Sequence, residues 1–152
     1  MNPRIMLAHM KAAQAYADLS YAKRRKVGCV VVKDDTIVAI GYNGTPEGWD
    51  NACEGADGKT LPEVIHAEQN AMDKLMRSTS SSVGASVFVT TAPCFTCAMR
   101  LYGARVSGVY YRDVYRSEEG LAFLAKVGIK TERIGHEALL ENSDDSGNRL
   151  GS

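Results

Sequence analysis

The 152-residue sequence has no excess of charge of either sign, few cysteines and no long apolar run. Its 18 basic and 18 acidic residues give a net charge of zero, whereas domains that bind nucleic acids along a broad surface are usually basic. No apolar run approaches the length of a membrane span, and the N-terminus lacks the continuous apolar core of a signal peptide. We therefore expect a cytoplasmic protein with no membrane or polynucleotide partner.

The four cysteines are too few to hold together a disulfide-based scaffold of this length. In a cytoplasmic chain, two cysteines close together in sequence are more often catalytic or metal-binding than disulfide-bonded. Cys94 and Cys97 form such a pair.

Apolar periodicity and turn signals predict an α/β domain over residues 1–135, followed by a polar, flexible tail over 136–152. The predicted helices cover 3–19, 61–77, 93–105 and 118–127, and the predicted strands cover 27–32, 36–40, 85–90, 106–112 and 129–134. This order favours a mixed sheet with helices on both faces. The segment 41–58 is a long loop rich in Gly, Asn and Asp, and such loops are often functional.

Two short motifs carry the chemistry: His66-Ala67-Glu68, and Pro93 followed by the Cys94/Cys97 pair. His66, Cys94 and Cys97 supply three soft ligands, the number that a catalytic zinc site uses while it leaves a fourth position open. Both cysteines follow Pro93 at a predicted helix N-terminus, which stabilises thiolates. Glu68 lies roughly 200° around an ideal helix from His66, so we expect it to transfer protons rather than bind the metal.

Two other interpretations of these motifs are open at this stage. Cys53 or Cys29 could complete a structural zinc site, or the cysteine pair could be buried without a metal. The glutamate two residues after His66 and the proline before Cys94 favour the catalytic interpretation, because a structural site needs neither.

The pattern H-x-E … P-C-x-x-C is typical of zinc-dependent nucleobase deaminases. Three further stretches, GYNGTP (41–46), VGC (27–29) and HAEQNAM (66–72), make the chain resemble the deoxycytidylate (dCMP) deaminase family. The resemblance implies a three-layer αβα sandwich with a five-stranded mixed sheet, and hydrolytic deamination of dCMP to dUMP and ammonia by a zinc-activated water. It implies His66, Cys94 and Cys97 as zinc ligands and Glu68 as the catalytic proton shuttle.

The same resemblance implies a homohexamer that dCTP activates and dTTP inhibits. Some family members have a second, structural zinc between the GYNG loop and the HAE motif. Here that insert contains one cysteine and no histidine, so we expect one zinc per chain.

The resemblance also implies two sets of nucleotide contacts. The substrate contacts are Asn43, Thr45, Ala67, Arg112, Tyr115 and Arg116, with Arg116 or Arg112 holding the 5′-phosphate. The effector contacts, to a triphosphate with or without Mg²⁺, are Arg24, Arg25, Lys26, Asn43 and Gly44. Simpler alternatives are a turn role with positive φ for Asn43 and a solvated turn for the basic run.

Other functions fit the motifs less well. The chain could be a zinc deaminase that acts on free nucleosides, guanine, tRNA or single-stranded DNA, or a non-catalytic module with a structural zinc. Among the remaining residues, we expect Cys29 in the core and His9 in the core or an interface.

Overall fold

The computed structural model describes residues 1–114 and 117–140. Within the described residues up to 135, four helices and five strands follow one another in the predicted order. The helices are α1 (Pro3–Ala17), α2 (Ala67–Met76), α3 (Phe95–Gly103) and α4 (Glu119–Lys126), and the strands are β1 (Gly28–Lys33), β2 (Thr36–Tyr42), β3 (Ser86–Thr91), β4 (Gly108–Asp113) and β5 (Lys130–Arg133). Apart from the start of α2, each boundary lies within two residues of its prediction.

The five strands form one mixed sheet in the order β2-β1-β3-β4-β5. Strand β1 is antiparallel to both β2 and β3, whereas β3, β4 and β5 run parallel. The prediction of a five-stranded mixed sheet is confirmed. Strand β3 is central, so the segment that follows it leaves the middle of the sheet.

Alternating side chains of the sheet divide the apolar core into two layers. On one face, Val87 and Val89 of β3 pack with α2, α3 and α4. On the other face, Phe88 packs with Met6 and Met10 of α1. The sheet therefore separates α1 from the other three helices, which confirms the three-layer αβα arrangement.

Two buried residues lie in the core as predicted. Cys29 is fully buried in β1, and His9 of α1 is 7% exposed. The His9 ring packs against Phe88, with ring centroids 5.2 Å apart.

The predicted start of α2 at residue 61 is wrong, because the helix begins at Ala67. Ile65 is held in an extended conformation by two backbone hydrogen bonds with Gly44: the Ile65 N–H donates over 2.8 Å, and its carbonyl accepts over 3.1 Å. His66 is therefore the N-cap, with φ −66° and ψ 154°, rather than a residue inside the helix. A pairing with a residue 21 positions earlier is not visible in local periodicity.

The predicted tail begins at His136, and residues 136–140 of it are helical. Leu139 in this turn is buried with the core around Phe88, while residues 141–152 lie outside the described residues. Within the described ranges, no helix combines the length and apolar character that a membrane crossing requires.

The contact of β2 with α2 depends on Gly41. A Cβ at this position would overlap backbone atoms of Ala67 and Ala71. Gly41→Ala should lower the free energy of unfolding by about 1–3 kcal/mol, the usual cost of overpacking, as measured by urea denaturation.

Gly103→Ala is the matched control, since no described atom outside its chain neighbours and its own helix backbone lies within 4 Å of the position where its Cβ would be. In a helix this change should be neutral or stabilising by up to about 1 kcal/mol. Equal unfolding free energies for the two variants would contradict the close contact.

Candidate metal centre and substrate cavity

His66, Cys94 and Cys97 converge where α2 and α3 begin. His66 is the N-cap of α2 and Cys94 the N-cap of α3, while Cys97 lies in the first turn of α3. Both helix N-termini therefore adjoin the cluster, and their partial positive charge favours thiolate over thiol. The prediction that the three ligand residues lie together is confirmed, because their ligand atoms all lie within 4.8 Å of one another.

The cluster has the dimensions of a tetrahedral metal site. The His66 Nδ1 atom lies 3.6 Å from the Cys94 sulfur and 3.3 Å from the Cys97 sulfur. Ordinary Zn–S and Zn–N bond lengths in a tetrahedron separate the S and N atoms by about 3.5 Å. One imidazole nitrogen facing two sulfurs is therefore the donor set expected around a zinc ion.

The other two cysteines lie apart from this cluster. Among the described residues, the group able to bind a metal contains His66, Cys94 and Cys97 and no fourth ligand. The Cys53 thiol is 3.6 Å from the Asn51 carbonyl oxygen, and Cys29 is buried in the sheet. A closed structural site with Cys53 or Cys29 as fourth ligand does not match this arrangement.

The pKa values of the two thiols in the cluster are shifted in opposite directions. Hydrogen bonding with Cys97, and then with His66, lowers the pKa of Cys94 to about 3. The hydrogen bond with Cys94, together with burial, raises the pKa of Cys97. The pair thus readily provides one thiolate, which is the form of cysteine that binds metals.

Glu68 lies in the first turn of α2 and is only 5% exposed. Burial raises the pKa of its carboxyl group, because a carboxylate removed from water loses hydration. A carboxyl group with a raised pKa gives and takes protons more readily near neutral pH. The position of Glu68 beside the cluster, but outside the ligand set, suits the predicted proton shuttle.

A cavity of about 540 Å³ opens over this cluster, within the size range of small-ligand pockets. Its walls contain chemically distinct parts: the cluster with Glu68, the small Ala67, and a basic segment before β1. The lining residues are Ala22, Arg24, Arg25, Val27, Asn43, Cys53, Glu54, Thr60, Val64, His66, Ala67, Glu68, Thr91, Ala92, Cys94 and Val114.

The predicted nucleotide contacts divide between the cavity wall and other places. Asn43, Ala67, Arg24 and Arg25 line the cavity, whereas Thr45, Gly44, Lys26 and Arg112 are not among its lining residues. Tyr115 and Arg116 lie outside the described residues. The guanidinium of Arg112 forms an ion pair with the adjacent Asp113, with an N–O distance of 2.8 Å.

The Asn43 side chain holds the basic segment. Its Oδ1 accepts a hydrogen bond from the Val27 N–H over 2.9 Å, and its Nδ2 donates to the Arg25 carbonyl over 2.9 Å. The alternative role of Asn43 as a turn residue with positive φ is wrong, since its φ is not positive. Its amide retains one donor and one acceptor position, so a ligand contact is compatible with this role.

Several residues that position other parts of the site were not predicted from the sequence. Glu54 accepts hydrogen bonds from two backbone N–H groups of the basic segment. A Cβ at Gly120 would overlap the Pro93 carbonyl, so α4 packs directly on the segment that carries Cys94. His136 lies 3.0 Å from Asp113. These contacts join residues far apart in sequence, and no local motif marks them.

Comparison with known proteins agrees with the site. Residues 4–113 match the family model described as the cytidine and deoxycytidylate deaminase zinc-binding region. The chain is 35% identical over 146 residues to a deoxycytidylate deaminase of Saccharomyces cerevisiae, covering 88% of this chain and 46% of the yeast protein. It is 34% identical over 128 residues to one of Schizosaccharomyces pombe, covering 76% of this chain and 39% of that protein. The chain therefore spans less than half the length of these curated relatives.

Solved structures show the same similarity. A dCMP deaminase from the cyanophage S-TIM5, crystallised in complex with dCMP and dUMP, superposes with a TM-score of 0.87 and 44% identity, covering 88% of this chain and 99% of the phage chain. A diaminohydroxyphosphoribosylaminopyrimidine deaminase/5-amino-6-(5-phosphoribosylamino)uracil reductase of Thermotoga maritima superposes with a TM-score of 0.70 at 21% identity. The match covers 93% of this chain and 38% of the Thermotoga chain, and it shows the fold alone. With its His/Cys/Cys cluster and its match over residues 4–113, the chain belongs to the zinc-binding cytidine and deoxycytidylate deaminase family.

Proposed function

We propose that this protein deaminates dCMP to dUMP and ammonia with one bound Zn²⁺. The observation that carries the proposal is the three-ligand cluster of His66, Cys94 and Cys97 with the buried Glu68 beside it. His66, Cys94 and Glu68 line one cavity. The cyanophage relative that was crystallised with dCMP and dUMP supports dCMP as the substrate.

The residues present fit a catalytic zinc in both donor chemistry and spacing. His66 through Nδ1, and Cys94 and Cys97 through sulfur, would hold the ion. When bound, zinc lowers the pKa of a coordinated water toward about 7 and so supplies a nucleophile near neutral pH. An open fourth position is what separates such a site from a structural one.

Glu68 provides the proton transfers that the reaction requires. Its carboxylate accepts a proton from the attacking water and passes it to a ring nitrogen of the pyrimidine. It then takes the proton of the hydroxyl group that has been added to the ring carbon and gives it to the amino group, which leaves as ammonia. The C–O bond forms with the first transfer, and the C–N bond breaks with the second as the hydroxyl oxygen becomes the carbonyl oxygen. Burial keeps the pKa of this carboxyl group above its ordinary value, which suits a group that both takes and gives protons.

Other parts of the cavity would orient the nucleotide. Ala67 is small and 1% exposed, and the base can approach the backbone there. The unused donor and acceptor of the Asn43 amide suit a hydroxyl of the deoxyribose. Thr45, Tyr115 and Arg116 stay proposed substrate contacts, whereas Arg112, the other arginine predicted for the phosphate, is paired with Asp113.

We further propose an oligomer, a hexamer by resemblance, located in the cytoplasm. Exposed apolar side chains at i, i+4 and i+7 of α3 support a subunit contact: Phe95, Met99 and Tyr102 are each 38% exposed or more. We also propose that dCTP activates the enzyme and that dTTP inhibits it, each bound with Mg²⁺ on the triphosphate. Lys26 and Gly44 are the proposed effector contacts beside the cavity.

Zinc content tests the ligand set. The purified chain should contain one zinc per chain by mass spectrometry, and Cys97→Ser should lose most of it, because one of three ligands is missing. Cys53→Ser is the matched control and should keep the metal. Loss of zinc from the Cys53 variant would indicate a closed structural site instead.

Exchange of the proposed proton shuttle tests catalysis separately from metal binding. Glu68→Gln should keep zinc and fold while kcat for dCMP falls by at least about 10²–10⁴-fold, the usual contribution of general acid–base catalysis. Glu63→Gln, which alters a carboxylate outside the cavity lining, should retain activity. Near-normal turnover in the Glu68 variant would refute the assigned role.

Ammonia release tests the substrate and its regulation together. We expect turnover of dCMP over CMP, deoxycytidine and cytidine, with the rate raised by dCTP and lowered by dTTP. If neither triphosphate changed the rate of dCMP turnover, the regulatory proposal would be refuted, while the proposed deamination would stand. Zinc-loaded protein that deaminates none of the four would contradict the proposed function.

A further inference from the structure

The basic segment 23–26 between α1 and β1 has no regular secondary structure, but side chains of other loops hold its backbone by hydrogen bonds. Glu54 Oε1 accepts hydrogen bonds from the N–H groups of Lys23 and Arg24, over 2.9 and 3.1 Å. Asn43 binds the other end of the segment through the Arg25 carbonyl and the Val27 N–H, both over 2.9 Å. Two loop side chains thus fix the backbone that carries two adjacent arginines.

Asn43 is itself anchored to the segment that follows α1. Its backbone carbonyl accepts a hydrogen bond from the Ser20 hydroxyl over 2.7 Å, and its backbone N–H donates to the Val27 carbonyl over 3.1 Å. The chain before and after the basic segment is therefore tied to the same residue. This leaves the backbone little freedom to move the arginines away.

The two arginines of this segment line the cavity at which the three metal-ligand residues lie. Arg24 and Arg25 line the same cavity as His66, Glu68 and Cys94, whereas Arg112 does not line it. In the part of the chain that the structure describes, no ion pair includes Arg24. Two carboxylates also line the cavity: Glu54, which accepts backbone N–H groups, and Glu68, which lies beside the metal ligands. Arg24 and Arg25 are the arginines among its lining residues.

We propose that Arg24 and Arg25 bind the 5′-phosphate of the nucleotide in the substrate cavity, and that Glu54 and Asn43 position them. This assignment rests on the proposed function and differs from the sequence prediction, which placed both arginines at an effector site and gave the 5′-phosphate to Arg116 or Arg112. With the pyrimidine at the metal cluster, the phosphate is the anionic part of the substrate that remains to be bound. Guanidinium groups bind phosphate through paired donors, and a backbone fixed in advance reduces the entropy lost on binding.

Phosphate recognition would make this segment the source of preference for a nucleotide over a nucleoside. A nucleoside lacks the group that the arginines bind, so their loss should affect dCMP and spare deoxycytidine. Comparing the two substrates therefore distinguishes a phosphate contact from general damage to the site, which would lower both rates.

The test measures kcat/KM for dCMP and for deoxycytidine in Arg24→Ala, Arg25→Ala and the double variant. Each single change should lower kcat/KM for dCMP by about 10- to 100-fold, as expected for a lost charge-assisted hydrogen bond, and leave deoxycytidine unchanged. Calorimetric binding of dUMP against deoxyuridine gives the same comparison without turnover. Lys23→Ala is the matched control, because its side chain belongs to the basic run but not to the cavity lining.

Two results would overturn the inference. One is an unchanged preference for dCMP and dUMP in the double variant. The other is an effect confined to the response to dCTP or dTTP, which would return both arginines to an effector site. Wild-type protein that binds zinc but neither deaminates dCMP nor binds dUMP would overturn the proposed function itself, and is thereby distinguished from failure of the arginine assignment alone.

Glu54 tests the positioning role separately. Glu54→Ala should raise KM for dCMP with kcat retained, and Glu54→Gln should restore KM, because the amide oxygen can still accept both N–H groups. A normal KM in Glu54→Ala would refute the role. If both variants lowered KM equally, the carboxylate would act only by repelling phosphate, which would also refute it.

Discussion

The contact between His66, the N-cap of α2, and the two cysteines at the start of α3 is the one on which the rest of the site depends. His66 Nδ1 lies within 3.6 Å of both thiol sulfurs, although His66 and Cys94 belong to different helices. Three donors at these distances have the spacing of ligands around a zinc ion. The fold brings them together because α2 packs on the edge of the sheet near β2, while α3 leaves its central strand.

Small residues make this convergence possible. Gly41 allows α2 to contact β2, and Gly120 allows α4 to contact the Pro93 carbonyl next to Cys94. The side chains that carry the chemistry are thus positioned by backbone packing behind them. The same packing sets the position of Glu68. Because α2 starts at Ala67, Glu68 lies in the first helical turn, at the cavity and next to the metal ligands.

The metal cluster could be predicted because its residues stand in compact motifs with fixed spacing. The sheet and the helix order followed from periodicity, which is local. The start of α2 was missed because the Ile65–Gly44 pairing joins two distant loops. The role of Glu54 was missed for the same reason, since an acidic residue in a polar loop gives no sign of the backbone that it binds.

The central claim is an open zinc site with two sulfur ligands and one nitrogen ligand, and X-ray absorption at the zinc edge tests it most directly. The geometry predicts two sulfurs at about 2.3 Å and the remaining ligands, nitrogen or oxygen, at about 2.0–2.1 Å. Three or four sulfur ligands would contradict the account, because a further cysteine would then close the site and leave no position for the reaction.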